Sequence, residues 1–169
     1  TDFAVFRPSN GFWYVFDRFS QNYAQLNWGT AGDIPIVNVS AAPTTTIRQV
    51  YRPSDGSWWT LAGSSFTVRN YGRPGDIPIT ERFSSTGGPL GVDSDIGIFR
   101  PSTGMWRFQL DIGIHTEYIF GQNGDIPVRG NYAPDLFADV AVFRASNGTW
   151  YFRHRITGFD SQDTFSELQ

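Results

Sequence analysis

The chain of 169 residues contains neither cysteine nor lysine. The absence of cysteine excludes disulfide bonds and thiolate metal sites, and the absence of lysine excludes a Schiff-base lysine and the lysine of a phosphate-binding loop. All 13 basic residues are therefore arginine, set against 16 acidic residues for a formal net charge of −3. Because they form no basic cluster that could track a phosphate backbone, we expect no nucleic-acid partner.

Long hydrophobic runs are also missing. The longest apolar stretch is Phe12–Phe16, whereas a helix that spans a bilayer needs about 20 apolar residues, so we expect no membrane span. The chain instead has 17% aromatic residues, 18 glycines and 10 prolines. Short β-branched and aromatic runs separated by glycine and proline are typical of β-strands joined by tight turns, which predicts an all-β fold.

One phrase, aromatic-Arg-Pro/Ala-Ser-x-Gly-x-Trp, occurs four times. Its copies are Phe6–Trp13, Tyr51–Trp58, Phe99–Trp106 and Phe143–Trp150. From one arginine to the next the steps are 45, 48 and 44 residues, which is the length of one four-stranded propeller blade. The sequence therefore predicts a β-propeller-like array of four blades, with the four tryptophans in equivalent buried positions.

A second phrase, aromatic-Gly-x-x-Gly-Asp-Ile-Pro-Ile/Val, recurs between these copies. It lies at Trp28–Ile36, Tyr71–Ile79 and Phe120–Val128. Because proline cannot donate a ladder hydrogen bond, the Ile-Pro segment predicts an edge strand, the innermost strand of a blade. The predicted blades of this single repeat domain are residues 1–31, 32–74, 75–123 and 124–169, and the outermost strand of the last blade is expected near Thr164–Leu168.

The aspartate of the second phrase and the arginine of the first are expected to form ion pairs. If each Ile-Pro strand pairs antiparallel with the strand that follows it, the pairs are Asp33 with Arg52, Asp76 with Arg100, and Asp125 with Arg144. Such pairs would lock each blade internally. The alternative is a ring of the four repeated arginines that binds an anion, because arginine suits bidentate recognition of carboxylate or phosphate.

The first predicted blade lacks its innermost strand, because residue 1 lies immediately before the second strand of that blade. Arg7 is then the one repeated arginine without an aspartate partner. An unpaired apolar edge at Phe3–Phe6 invites pairing with another strand. We expect upstream sequence or a neighbouring subunit to supply that strand by β-augmentation.

The combined pattern of Gly-Asp-Ile-Pro-Val, a short acidic loop and Asp-x-Ala-Val-Phe-Arg-Pro-Ser-x-Gly-x-Trp-Tyr resembles the repeats of bacterial FG-GAP/VCBS-type proteins, related to the blades of integrin α-subunit propellers. The resemblance covers nearly the whole chain. It implies a β-propeller in a secreted, periplasmic or cell-surface protein, used for adhesion, for carbohydrate binding or as a scaffold beside other domains.

In that family the loop after the Ile-Pro-Val strand usually binds Ca²⁺ through carboxylates at alternating positions. Two of the three corresponding loops, residues 37–46 and 80–94, lack the carboxylates that this pattern needs. The third keeps oxygen ligands only at Asn131, Asp135 and Asp139. We expect this degenerate site to be empty and no cofactor to be needed, with Asn131 and Asp135 capping backbone groups instead.

Aromatic residues outside the repeat phase are the candidates for ligand binding, because in-phase aromatics are expected to build the core. The candidates are Trp59, Tyr23, Phe83 and Tyr132.

No motif predicts catalysis, since His115 and His154 have no partner at a catalytic spacing. We interpret the chain as a non-enzymatic extracellular binding or scaffolding module whose partner is a protein or a surface glycan. One alternative is a lectin in which glycans stack on aromatic rings and hydrogen-bond to side chains such as Asn123 and Asp163. Another is a structural subunit of a larger surface assembly, and a polysaccharide-active enzyme ranks last.

Overall fold

Fifteen β-strands form four antiparallel sheets in the part of the chain that the computed structural model describes. The described residues are 3–36, 47–81, 95–111, 114–132, 138–153 and 160–164. They contain no helix, and the all-β prediction is confirmed. The same residues thus include no helix long and apolar enough to cross a bilayer.

Strand order follows chain order in every sheet, so each sheet is a meander. The first sheet contains β1 (Phe3–Arg7), β2 (Phe12–Phe16) and β3 (Tyr23–Asn27). The second contains β4 (Ile34–Ile36), β5 (Ile47–Arg52), β6 (Ser57–Ala62) and β7 (Ser65–Asn70). The third contains β8 (Ile77–Glu81), β9 (Asp95–Arg100), β10 (Met105–Asp111) and β11 (Ile114–Ile119). The fourth contains β12 (Ile126–Gly130), β13 (Asp139–Arg144), β14 (Thr149–Arg153) and β15 (Asp160–Thr164).

Two compact units divide the described residues, with the boundary between Pro74 and Gly75. The first unit holds the first and second sheets, and the second unit holds the third and fourth. Each sheet lies within one of the four blade ranges that the repeats predict.

The Ile-Pro strands β4, β8 and β12 lie at sheet edges, as predicted. Each pairs on one side, with the strand that follows it in the chain. The first sheet has no such strand among the described residues, and β1 is its edge, paired with β2 alone. The first sheet is therefore three-stranded, whereas the other three sheets have four strands each.

The outer strand of the fourth sheet begins earlier than the predicted Thr164–Leu168. β15 covers Asp160–Thr164, and Trp150 lies opposite Asp163. The outer strand of the first sheet has the same offset, because Trp13 lies opposite Leu26. The start of this strand was misplaced because the fourth repeat has no aromatic-Gly pair to mark the position of its outer strand, and residues 165–168 of the predicted range lie outside the described residues.

The first phrase forms the turn between two strands, and its glycine is the last residue of that turn. The Gly56 N–H donates to the Arg52 carbonyl at 2.9 Å, and the Ser57 N–H donates to Asp55 Oδ1 at 2.9 Å. Gly56 has a φ of 75°, and a Cβ added to it would lie 2.3 Å from the carbonyl carbon of Gly72. The turn therefore needs glycine for its left-handed backbone and for contact with the second phrase.

The repeated tryptophans tie this turn to the end of the outer strand. In the first three repeats the indole Nε1 donates to the carbonyl of the aromatic residue that opens the second phrase. The distances are 2.9 Å from Trp13 to Trp28, 2.7 Å from Trp58 to Tyr71, and 2.8 Å from Trp106 to Phe120. The two phrases are thus one structural unit, because the first supplies the donor and the second supplies the acceptor.

The core of the second unit lies between its two sheets. It contains Ile79, Phe99, Trp106, Phe108, Ala138, Val140 and Val142. Trp106 lies opposite Phe99 on neighbouring strands, and their ring centroids are 4.9 Å apart. One face of the third sheet therefore packs on the fourth sheet through aromatic and β-branched side chains.

The four tryptophans are not equally buried, and the prediction of four equivalent buried positions was wrong for Trp13 and Trp150. Trp58 is 0% exposed and Trp106 is 1% exposed, but Trp13 and Trp150 are only half-buried. Trp150 lies opposite Phe143, on the face of the fourth sheet that points away from Val142 and the core. No further sheet of that unit covers this face among the described residues. Trp13 lies in the three-stranded sheet, whose edge is open.

The different burial of Trp106 and Trp150 predicts different losses of stability when each is replaced by alanine. We expect Trp106→Ala to lower the free energy of unfolding by about 3–5 kcal/mol, because it leaves a large cavity in a packed core. We expect a smaller loss for Trp150→Ala, since its ring is already partly solvated. Urea unfolding followed by far-UV circular dichroism measures both, and equal losses would contradict the assigned packing.

The surroundings of the turn glycines predict that alanine substitutions at Gly56 and Gly148 differ in their effect on stability. Gly148→Ala introduces left-handed strain of about 1–2 kcal/mol at a φ of 68°, and no described atom lies within 4 Å of the new Cβ. Gly56→Ala adds the same strain at a φ of 75° and also a clash with the Gly72 backbone. We expect Gly56→Ala to be clearly less stable than Gly148→Ala in urea unfolding. Equal stabilities would show that the clash with Gly72 is relieved.

Candidate functional site

The structure brings together all three predicted Asp–Arg pairs, each through two parallel hydrogen bonds. The Nε–Oδ1 and Nη2–Oδ2 distances are 3.0 and 3.0 Å for Arg52–Asp33, 2.8 and 2.8 Å for Arg100–Asp76, and 2.8 and 2.9 Å for Arg144–Asp125. The aspartate side chains are fully buried, and the arginines are mostly buried. These forks are already filled by carboxylates, which argues against the alternative of an arginine ring that binds an anion.

The aspartates of these pairs also hold the glycine turn that precedes them. Asp33 Oδ2 accepts a hydrogen bond from the Thr30 N–H at 2.9 Å, and Asp125 Oδ2 accepts one from the Gln122 N–H at 2.9 Å. Burial opposes ionisation of Asp125, but the hydrogen bonds from Arg144 and Gln122 and the charge of Arg144 outweigh it, so the pKa of Asp125 is lowered. The repeated aspartate therefore stabilises the turn and the sheet edge together.

The guanidinium groups of the repeat also stack on aromatic rings. Arg7 lies 4.6 Å from the centroid of Tyr14, Arg52 lies 4.6 Å from that of Trp59, and Arg144 lies 4.2 Å from that of Tyr151. Tyr14, Trp59 and Tyr151 each follow the repeated tryptophan directly. The interpretation of Trp59 as out of phase was therefore wrong: it occupies a repeat position on the arginine face of its sheet, because neighbouring strand residues alternate between faces.

Trp59 nevertheless lines a groove in the first unit. The groove has a volume of about 360 Å³ and is lined by Asn27, Trp28, Gly29, Thr30, Arg52 and Trp59. The Trp28 ring packs on Phe66, with ring centroids 5.9 Å apart. Trp28 Nε1 is buried and has no hydrogen-bond partner among the described residues. Two indole rings, an amide, a hydroxyl and a guanidinium thus meet at one concave surface.

Sequence reasoning missed Trp28, Asn27 and Thr30 as groove residues. Trp28 opens the second phrase, so it was interpreted as a structural aromatic. The available signal is that the two other copies of the phrase have Tyr71 and Phe120 at this position. A departure from the repeat consensus, rather than a departure from the repeat phase, marks the groove.

The other aromatic candidates differ in their surroundings. Tyr23 is 83% exposed on β3, with its ring 4.8 Å from that of Phe16. Phe83 lies outside the described residues. The Tyr132 hydroxyl donates to the Arg129 carbonyl at 3.2 Å, and its ring lies 4.6 Å from that of Phe152. Burial raises the pKa of Tyr132, with help from the charges of Asp139 and Glu81, so its hydroxyl and one ring face are already engaged.

The degenerate calcium loop is described at its two ends. Asp139 is buried, and its Oδ2 accepts a hydrogen bond from the Tyr132 N–H at 3.0 Å. Asn131 is exposed, and Asp135 lies outside the described residues. Within the described ranges, no group of three or more histidine or acidic side chains is placed to hold a metal ion. Asp139 therefore caps the loop backbone at Tyr132, and the predicted cap at Asp135 lies outside the described residues.

The edge of the first sheet is the second candidate site. Phe3 is 67% exposed and Val5 is 64% exposed on β1. Arg7 Nη1 donates to the Tyr14 hydroxyl at 3.1 Å, and no carboxylate of the described residues forms a salt bridge with Arg7. The edge thus offers apolar side chains and the guanidinium of Arg7. In the three other sheets the arginine at this repeat position binds an aspartate.

Comparisons with protein-family models, with curated proteins and with solved structures give no match to this chain.

The lowered pKa of Asp125 predicts a pH-dependent stability. A carboxyl whose pKa is lower in the folded state stabilises the fold above its unfolded pKa of about 3.9 and loses that effect as the pH falls through the folded value. We expect Asp125→Asn to lower the free energy of unfolding at pH 7 by about 1.5–3 kcal/mol. The difference from the wild type should shrink below about pH 4, as measured by urea unfolding at pH 7, 5 and 3.

The control for this pair is Glu117→Gln. Glu117 pairs with Arg107 at 3.0 Å, but both side chains are exposed, and such surface pairs contribute about 0–1 kcal/mol. An Asp125→Asn effect no larger than that of Glu117→Gln, or one that stays constant with pH, would contradict the stabilising role of the buried pair.

Proposed function

We propose that the chain is a non-enzymatic extracellular binding or scaffolding module, built from four propeller blades of the FG-GAP/VCBS type, that assembles by accepting a β-strand at the edge of β1. The single observation that carries this proposal is the edge itself. Three sheets have an Ile-Pro strand anchored by an Asp–Arg pair, whereas in the first sheet the arginine and the edge of β1 have no such strand among the described residues.

The arrangement of the inner strands in the second unit supports the propeller. Strands β8 and β12 lie side by side, and Arg129 Nη1 donates to the Thr80 carbonyl at 3.3 Å. A groove of about 440 Å³ follows the two strands and is lined by Pro78 and Pro127 together with Glu81 and Arg129. Two neighbouring edge strands that contain proline are suited to line a central channel, because a proline-containing edge does not pair with a further strand.

The chemistry of the β1 edge specifies its occupant. The three paired edges each carry Gly-Asp-Ile-Pro followed by Ile or Val. In the fourth sheet Ile126 lies opposite Phe143, and Asp125 reaches Arg144 from the residue before the strand. A strand with the same sequence would place its aliphatic residues against Phe6 and its carboxylate at Arg7. The occupant we propose is therefore an acidic-aliphatic-proline-aliphatic strand.

A synthetic peptide with the sequence of residues 121–130, labelled with a fluorophore, tests the proposal. We expect it to bind the wild-type protein, as measured by fluorescence anisotropy. The peptide with asparagine in place of Asp125 should bind about tenfold more weakly or worse, because a charge-assisted hydrogen bond contributes about 1.5–3 kcal/mol. Arg7→Gln in the protein should cause a similar loss, and Arg18→Gln, at an exposed turn position, is the matched control.

The source of the strand is decided by a second measurement. If a neighbouring copy supplies it, light scattering should show self-association that excess peptide reverses. If another segment of polypeptide supplies it, the protein should stay monomeric and bind the peptide. Equal binding of the aspartate and asparagine peptides, or a monomer that binds neither peptide, would refute the proposed docking edge.

A further inference from the structure

The groove of the first unit differs chemically from the corresponding positions of the second unit. The repeat aligns Asn27 with Ile119, Trp28 with Phe120, and Trp59 with Tyr151. The glycine and the arginine of the groove, Gly29 and Arg52, align with Gly121 and Arg144. Thr30 stands where the second unit has Gln122. The scaffold is therefore kept while four lining positions differ: two carry indole rings, one carries an amide in place of an aliphatic side chain, and one carries a hydroxyl in place of an amide.

The aromatic lining suits a ligand with both apolar and polar faces. Trp28 and Trp59 are each half-buried, so each keeps part of its ring at the surface of the groove. Indole rings combine a large apolar surface with a single donor, which matches the C–H face of a sugar ring. The groove volume of about 360 Å³ lies near the small end of the range for ligand sites, which corresponds to a short ligand rather than a long polymer segment.

Hydrogen-bonding groups surround the two indole rings. Arg52 uses Nε and Nη2 for Asp33, which leaves its Nη1 N–H groups to donate. Asn27 and Thr30 are exposed at the same groove. An amide can both donate and accept, and a hydroxyl can do the same. Sugar hydroxyls need partners of both kinds: Asn27 and Thr30 can donate and accept, and Arg52, held by the buried carboxylate of Asp33, adds donors only.

The charge balance at the groove favours a neutral ligand. The positive charge of Arg52 is balanced by Asp33 at 3.0 Å, and Asp55 adds a further negative charge close enough to act on Arg52. The groove therefore has no uncompensated positive charge for a phosphate, a sulfate or a sugar acid, whereas hydroxyl groups bring no charge that must be compensated.

We propose that the groove lined by Trp28, Trp59, Asn27 and Arg52 binds a neutral mono- or disaccharide unit of a glycan. This site lies on the first unit and does not depend on the strand-accepting edge, so the chain has two separable binding surfaces. The saccharide stacks on the indole rings, and its hydroxyl groups bond to the amide, the hydroxyl and the free guanidinium N–H groups.

The test uses immobilised neutral and acidic oligosaccharides, followed by isothermal titration calorimetry with the methyl glycosides of glucose, galactose, mannose and N-acetylglucosamine. We expect binding to one or more neutral sugars. Asn27→Ile and Trp59→Tyr install the residues that the second unit already has at these positions, so both variants should fold. Each should weaken binding by at least tenfold.

The matched control is Tyr151→Phe, at the position of the second unit that aligns with Trp59. It should leave sugar affinity unchanged. Far-UV circular dichroism and urea unfolding confirm that each variant is folded before its affinity is measured. Binding of acidic glycans alone, wild-type affinity in both groove variants, or no binding to any neutral sugar on the array would each overturn the proposal.

Discussion

A buried, bidentate Asp–Arg pair anchors the Ile-Pro edge strand of each four-stranded sheet, and much of the rest of the structure depends on it. The edge strand β4 has only three residues, Ile34–Ile36, and proline removes one of its donors. A strand this short makes few ladder hydrogen bonds, so the pair between Asp33 and Arg52 supplies an attachment that the ladder lacks. The same carboxylate accepts the Thr30 N–H, which couples the glycine turn to the sheet that follows it.

Local patterns made much of the fold predictable from the sequence. The Asp–Arg pairs follow from antiparallel register alone, because the sequence places each aspartate one residue before an edge strand. Tryptophan burial depends on neighbouring sheets, and no local pattern reports whether a neighbour is present, so Trp150 could not be distinguished from Trp106. The start of β15 was misplaced because the aromatic-Gly signal that follows the other outer strands is missing from the fourth repeat.

The groove at Trp28 and Trp59 was harder to predict because its walls come from distant parts of the chain. Asn27 and Trp28 end the outer strand of one sheet, whereas Arg52 and Trp59 belong to the middle strands of the next. Whether an aromatic residue is in phase with the repeat did not predict the groove residues, since Trp59 occupies a repeat position and still lines the groove. The scaffold residues of this repeat recur, as the Asp–Arg pairs do, whereas Trp28 and Trp59 differ from the residues that the other copies carry at the same positions.

The two candidate surfaces depend on different interactions, so a substitution can change one surface without changing the other. The proposed strand addition at β1 would rely on main-chain hydrogen bonds and on one guanidinium, so its selectivity would rest on the charge at a single position of the incoming strand. The groove relies on side chains that leave the backbone and the Asp33–Arg52 pair untouched. Changing Asn27 or Trp59 alters recognition without loosening a sheet edge, whereas changing Arg52 would disturb both the groove and the anchor of β4. Arg52 is thus a groove residue that the fold itself constrains, as is Gly29, whose φ is 143°.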